Sequence, residues 1–250
     1  NECTYTSNGV CENGNYVYFN PTTGTKCTNY TDSQSNTGVK SGCMKWYVFN
    51  DTLDSTTVNL LLDHNTSDGV SWNSNEDYAN GPTLALAQLK SDTSNWKGVE
   101  TPTNYTYTSE SINPDYQFTY TIDYTGYKAR LITVEEVADI LGIETTAIVG
   151  TTTYNLNKNS TCKEGDTSGC KYGWLYDRTN SNCTKYGCLN NSVNGAGEIY
   201  TASAVAEKNQ TYAYAYTISY DGFLVCKGVK FSGAYPAAGR PVIEVSKSKL

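Results

Sequence analysis

The stretch GRPVIEVSKSKL, Gly239 to Leu250, decides how this chain is read. A glycine turn leads into Arg240-Pro241. Val242, Ile243, Glu244 and Val245 then read as a strand before a basic, polar end. A strand over 240–246 needs a partner, so the reading works outward to find one. Just upstream, TYAYAYTISYDGFLV (211–225) has a period of two. Tyr212, Tyr214, Tyr216, Ile218 and Tyr220 share one face, Ala213, Ala215, Thr217 and Ser219 the other, and Asp221-Gly222 turns the chain. Before it, GEIYTASAV (197–205) follows loops clipped by cysteines around YGWLYDRTN (172–180).

The first half supplies more strands. NYVYF (15–19) precedes an Asn-Pro turn, and the apolar runs 46–49 and 58–62, with Val70 to Trp72 after a polar turn, predict an antiparallel meander. In that turn Asp63, Asn65 and Asp68-Gly69 miss calcium-loop spacing by one residue, so a hairpin turn is expected. His64, the single histidine, is expected there as an exposed structural residue.

Two segments read as helices. GPTLALAQLKSDTSNW (81–96) has Pro82 for a first turn and a stripe at Ala85, Leu89, Asp92 and Trp96. GYKARLITVEEVADILG (126–142) carries a capping box, Thr133 with Glu136. Its apolar stripe is Val134, Val137, Ala138 and Leu141, and Gly142 supplies the stop. Arg130-Leu131-Ile132 is expected to enter it as a short strand. Between the helices, Tyr105/Tyr107 and Phe118/Tyr120/Ile122 alternate as strand or extended loop. The fold class is α+β, mostly antiparallel strands with two helices, loop-rich and disulfide-stapled. Residues 1–45 are read as a disulfide-pinned N-terminal segment and 46–250 as one domain.

Bulk properties narrow the function. A net charge of -7 and a pI near 4.8 argue against nucleic acid and anionic membrane as partners. Mean hydropathy is -0.51, yet 22 Tyr and 4 Trp supply the apolar area of a folded protein. No run approaches the roughly 18 apolar residues of a membrane span. The first residue is Asn1, which reads as a processed chain whose signal peptide or anchor helix, if it had one, is gone. The nine cysteines form four local couples, Cys3/Cys11, Cys27/Cys43, Cys162/Cys170 and Cys183/Cys188, with Cys226 left over. Such closable loops point to an oxidising, extracellular or cell-surface location, nine free thiols in a cytosolic protein being the alternative.

Catalytic signatures are missing. One histidine serves no Ser-His or Cys-His pair, no G-x-S-x-G elbow or phosphate-binding glycine loop occurs, and Glu135 and Glu136 belong to the helix cap. The expectation is a non-enzyme with no cofactor and no metal site. A glycan-processing carboxylate pair is the remaining enzymatic reading.

Three segments carry a resemblance: ARLITVEEVADI (129–140), YGWLYD with EIYTASA (172–177 and 198–204), and GRPVIEV (239–245) after a Tyr/Gly-rich hairpin. Together they resemble the bacterial C-type-lectin-like fold, the branch of formylglycine-generating-enzyme-like domains and variable proteins of diversity-generating retroelements. The helix motif has Ile132 where proline is usual, Tyr200-Thr201-Ala202-Ser203 matches loosely, and Gly239-Arg240 lacks an intervening residue. The chain is also similar, through GCMKWYVF, LDHNT and YGWLYD, to surface proteins of gut Firmicutes with pilin-like leaders. The resemblance implies that the domain's first and last strands pair, with Arg240 partly buried and structural. Formylglycine-type oxidation would need paired cysteines near the closing strand, where Cys226 stands alone. Calcium-dependent sugar binding of the animal-lectin type would need motifs that Asn113-Pro114-Asp115 does not supply in the right place.

The resemblance places a ligand face just before the closing strand, and the tyrosine-rich composition of 209–239 suits one, since tyrosine gives rigid contact area at low entropy cost. The candidate ligand-binding residues are Trp174, Tyr176, Tyr200, Tyr212, Tyr214, Tyr216, Tyr220, Phe223 and Tyr235. Core packing of the period-two tyrosines is the competing reading. The expected function is extracellular recognition or adhesion toward a glycan or protein. The alternative is a pilin-like subunit whose partners are copies of itself in a filament.

Overall fold

The computed structural model describes residues 1–5, 9–28, 42–66, 69–74, 78–109, 117–148, 153–158, 162, 169–176, 198–205, 214–228 and 237–250. Strands β1 (Tyr16–Asn20), β2 (Thr25–Lys26), β3 (Met44–Phe49) and β4 (Thr57–Leu62) come first, then helix α1 (Thr83–Asp92). A hairpin of β5 (Tyr105–Thr108) and β6 (Thr119–Ile122) precedes helix α2 (Val134–Leu141). Strands β7 (Thr153–Asn155), β8 (Glu198–Val205), β9 (Tyr214–Ser219), β10 (Phe223–Gly228) and β11 (Val242–Ser246) complete the order. All pairings between these strands are antiparallel, so the fold is α+β with two helices, as composition and pattern predict.

The closing strand finds its partner in β4. The five-stranded sheet runs β11-β4-β3-β1-β2, with Val242 opposite Leu61 and Ser246 opposite Thr57. This corrects the expectation that the domain's first and last strands pair: β3 lies one strand further in, between β4 and β1. It also displaces Val70–Trp72 from the predicted meander. That segment is not a strand, and the Val70 amide donates to the Ala237 carbonyl instead. Every residue of β3 is buried, as a central strand covered on both faces requires.

The second sheet, β7-β10-β9-β8, carries the period-two run. Its β8 edge is covered by tyrosines. On β8, the Ala202 carbonyl accepts the Tyr120 hydroxyl and the Ala204 carbonyl accepts the Tyr107 hydroxyl at 2.7 Å. The Tyr120 oxygen accepts the Ala204 amide at 3.2 Å, and the Ala202 amide reaches the Ile132 carbonyl at 2.7 Å. A bare strand edge is a template for another chain, and these bonds remove it.

Helix α2 forms as its sequence dictates. Thr133 and Glu136 close a capping box, and Gly142 takes the left-handed conformation (φ 68°) that ends the helix. Ser203 on β8 adds a second cap, its hydroxyl accepting the Val134 amide at 3.0 Å. Helix α1 is shorter than its stripe: it ends at Asp92, and Trp96 is buried beyond it, edge-on to Trp46 at 5.5 Å. Arg130–Ile132 is not a strand. Arg130 alone bridges Val242, covering the outer side of β11.

Disulfides join Cys3 to Cys11, Cys27 to Cys43 and Cys162 to Cys170, three of the four predicted couples. Cys183 and Cys188 lie outside the described residues, and Cys226 packs half-buried against the core. Asp51 ties the Cys3–Cys11 loop to the C-terminal end: it accepts the Tyr5 hydroxyl at 2.7 Å and the Cys11 amide at 2.9 Å, and pairs with Lys247 at 2.7 Å. Among the described residues no helix is long and apolar enough to cross a membrane.

Candidate functional site

Burial divides the predicted ligand-binding residues. Tyr216 is 1 % exposed, and Trp174, Tyr176 and Tyr200 are likewise buried, so these four pack in the core rather than facing a ligand. The reason is register. Tyr216 stands opposite Cys226 on the face that also carries Ile218 and Leu224, which is the core face. Tyr200 turns its ring edge-on to Trp72 at 5.5 Å and its hydroxyl to the Val70 carbonyl at 2.8 Å. Tyr176 accepts the Asn157 amide, and the carbonyls of Trp174 and Leu175 are taken by Arg240. Tyr212 and Tyr235 lie outside the described residues.

Three predicted residues keep solvent access: Tyr220, 51 % exposed, and the half-buried Phe223 and Tyr214. Tyr220 and Phe223 flank the β9–β10 turn, which is tightly held. Gly222 has a φ of 91° and lies so close to Tyr176 that a Cβ would sit 3.1 Å from its ring. Its carbonyl accepts the Leu156 amide at 3.0 Å, and the Ser219 hydroxyl bonds the Asp221 carboxylate. The turn therefore presents Tyr220 from a fixed backbone.

Arg240 and the Asp63–His64 pair are buried in the interior. Arg240 is 2 % exposed and donates to three carbonyls, Leu62 at the end of β4, Leu175 at 2.8 Å and Trp174 at 2.9 Å. His64 is 6 % exposed, its Nδ1 2.6 Å from the Asp63 carboxylate, which corrects the expectation of a solvent-facing side chain. Asp63 is enclosed, and burial raises its pKa even though His64, Arg240 and Lys45 pull it down. Lys45 is buried as well, its ammonium 4.0 Å over the Tyr16 ring.

The described surface also holds a cleft of about 390 Å³ beside the N-terminus of α2. Sequence reading missed it. Arg130 grips Glu136 with both nitrogens and donates to Asn59 at 3.1 Å. Tyr105 donates to Glu135 at 2.7 Å, and burial, reinforced by that carboxylate, raises its pKa so far that the proton stays on. Glu244 on β11 accepts the Thr57 hydroxyl. Tyr124, 1 % exposed, lines the same space, and its oxygen accepts the Leu131 amide at 3.4 Å. The sequence signal for part of it was the acidic capping box, which places Glu135 and Glu136 together. Nothing local brings Tyr124 or Glu244 to them. Among the described residues no three or more histidines, cysteines, aspartates or glutamates gather so as to hold a metal ion.

Comparison with protein-family models, with curated proteins and with solved structures gives no match to this chain.

Proposed function

We propose that the chain is a non-catalytic, C-type-lectin-like recognition or adhesion domain working outside the cell, with its protein or glycan contact surface at the β9–β10 turn. The observation that carries the reading is Tyr220, half exposed on a turn that Gly222, Tyr176 and Leu156 hold in place. A rigid aromatic on a fixed backbone binds with little entropy loss. Three disulfides support the extracellular setting. The lectin-like assignment draws support from the capped helix α2 and from the buried Arg240 just before the closing strand.

The tyrosine caps on β8 and the Arg130 bridge at Val242 weigh against a filament subunit joined through the β8 or β11 edge. The test is sedimentation of the folded chain beside an array of glycans and extracellular proteins. A monomer with saturable binding is expected. Concentration-dependent polymers with no ligand would instead make the chain a structural subunit.

A further inference from the structure

The second sheet is closed at one end and open at the other. Its β8 edge is covered by the Tyr107 and Tyr120 hydroxyls, whereas β7, the outer strand on the far side, pairs with β10 alone. One contact sets the phase of that pairing. The Leu156 amide reaches the Gly222 carbonyl at 3.0 Å and Tyr154 stands opposite Leu224, so Leu156 and Tyr154 turn their main-chain groups toward β10. Thr153 and Asn155 then turn theirs outward. The Asn155 carbonyl takes the Lys158 amide at 3.1 Å. The Thr153 amide, the Thr153 carbonyl and the Asn155 amide have no partner among the described residues, and both residues are exposed.

Such a row of donors and acceptors is a template for an added strand. The other outer strands of the two larger sheets are not. On β11, Arg130 bridges Val242 and the Glu100 amide takes the Glu244 carbonyl at 2.8 Å. Strand β2 has two residues and ends in Lys26, a charge of the kind that guards an edge. Thr153, Tyr154 and Asn155 carry no charge.

Strand β7 also adjoins the turn assigned above to ligand contact: Phe223 stands opposite Asn155, and Gly222 is bonded to Leu156. The occupant whose own main chain matches this edge is a polypeptide. A second copy of this chain fits less well. Two β7 strands related by a two-fold axis would share at most about four main-chain hydrogen bonds, too short a contact for the roughly 1,200 Å² that stable interfaces bury. The same symmetry would put the two Tyr220 turns at opposite ends of the pair. An extended peptide is free of that constraint and can pair with β7 and run on to Phe223 and Tyr220.

We propose that β7 accepts an extended segment of a protein partner as an added strand, so that the ligand of the Tyr220 turn is a polypeptide. The inference rests on the recognition reading above and narrows its ligand from protein or glycan to protein.

The experiment selects binders from a display library of short random peptides and measures the best one, as a synthetic peptide, by calorimetry against the full chain. Two further peptides carry N-methyl groups on alternate amides, in one phase or the other. Strand pairing has a period of two, so methylation in one phase should abolish binding and in the other leave it within about threefold. Thr153→Pro removes an outward amide that takes no part in the pairing with β10, so the fold is kept and affinity should fall roughly threefold to tenfold. The methylated peptides keep the test decisive if that variant does not fold. Tyr220→Ala should weaken the same peptide. Equal effects of the two methylation phases overturn the proposal, as does peptide binding that folded Thr153→Pro leaves unchanged, or a chain that dimerises through β7 and binds no peptide. Glycan or protein binding lost in Tyr220→Ala but untouched by Thr153→Pro would overturn the added strand and leave the recognition reading standing. No binding of peptide, glycan or protein would overturn both.

Discussion

Two tyrosine-rich ribbons in this molecule use the same side chain in opposite ways. In the β5–β6 hairpin, Tyr107 and Tyr120 face inward and spend their hydroxyls on the carbonyls of β8, while Thr106, Thr108, Thr119 and Thr121 face solvent. In the β9–β10 hairpin, Tyr216 is locked in the core and Tyr220 stands half in water on the turn. The first ribbon is a structural seal. The second offers a surface. Composition counts both as tyrosine-rich, so counting aromatics does not locate a binding face; the exposure of each ring does.

The largest expected effect is alkaline unfolding. Burial raises the hydroxyl pKa of Tyr105, Tyr120, Tyr124 and Tyr200 above the ordinary value of 10.0. The folded state thus keeps protons that the unfolded chain releases, so stability is full below pH 10 and falls as the pH rises beyond it. Each such tyrosine removes about 1.4 kcal/mol per pH unit, and the four together about 6 kcal/mol near pH 11, comparable to a whole domain's stability. Phenolate absorbance and loss of folded circular dichroism should rise together. A protein that ionises these tyrosines while still folded would contradict their burial.

Next in size, Tyr120→Phe leaves the Ala202 carbonyl and the Ala204 amide without their hydroxyl partner. Urea denaturation should show a loss of about 1–3 kcal/mol. Ser203→Ala removes the acceptor for the Val134 amide at the start of α2 and a partner of Tyr105, and should cost about 1–2 kcal/mol. Smallest in stability is Tyr220→Ala, expected within about 0.5 kcal/mol of the parent because half of the side chain is already in water. A loss there as large as that of Tyr120→Phe would erase the contrast between the two ribbons.

The parts of the fold legible in the sequence are those set by local chemistry. Thr133, Glu136 and Gly142 announce α2 because caps and left-handed stops act within one turn. The runs over 46–49 and 58–62 give β3 and β4, and Tyr214 to Ser219 with the Asp221-Gly222 turn gives β9 and its hairpin. Strand partners were not legible, because alternation marks the faces of a strand and not its neighbour. Thus β11 lies beside β4, and Val70–Trp72 falls outside the sheet. A lone histidine carries no pattern, so His64 could not be placed against Asp63 behind Arg240. Glu135 and Glu136 were visible as cap residues. Their meeting with Tyr124 and Glu244 depends on Arg130 bridging β11, a contact between distant parts of the chain.

The measurement that tests the central claim most directly is an array of glycans and extracellular proteins probed with the parent chain, Tyr220→Ala and Tyr120→Phe. The account predicts saturable binding by the parent, loss of it in Tyr220→Ala at unchanged stability, and retention in Tyr120→Phe despite lower stability. Equal binding by the parent and Tyr220→Ala would contradict a contact surface at the β9–β10 turn.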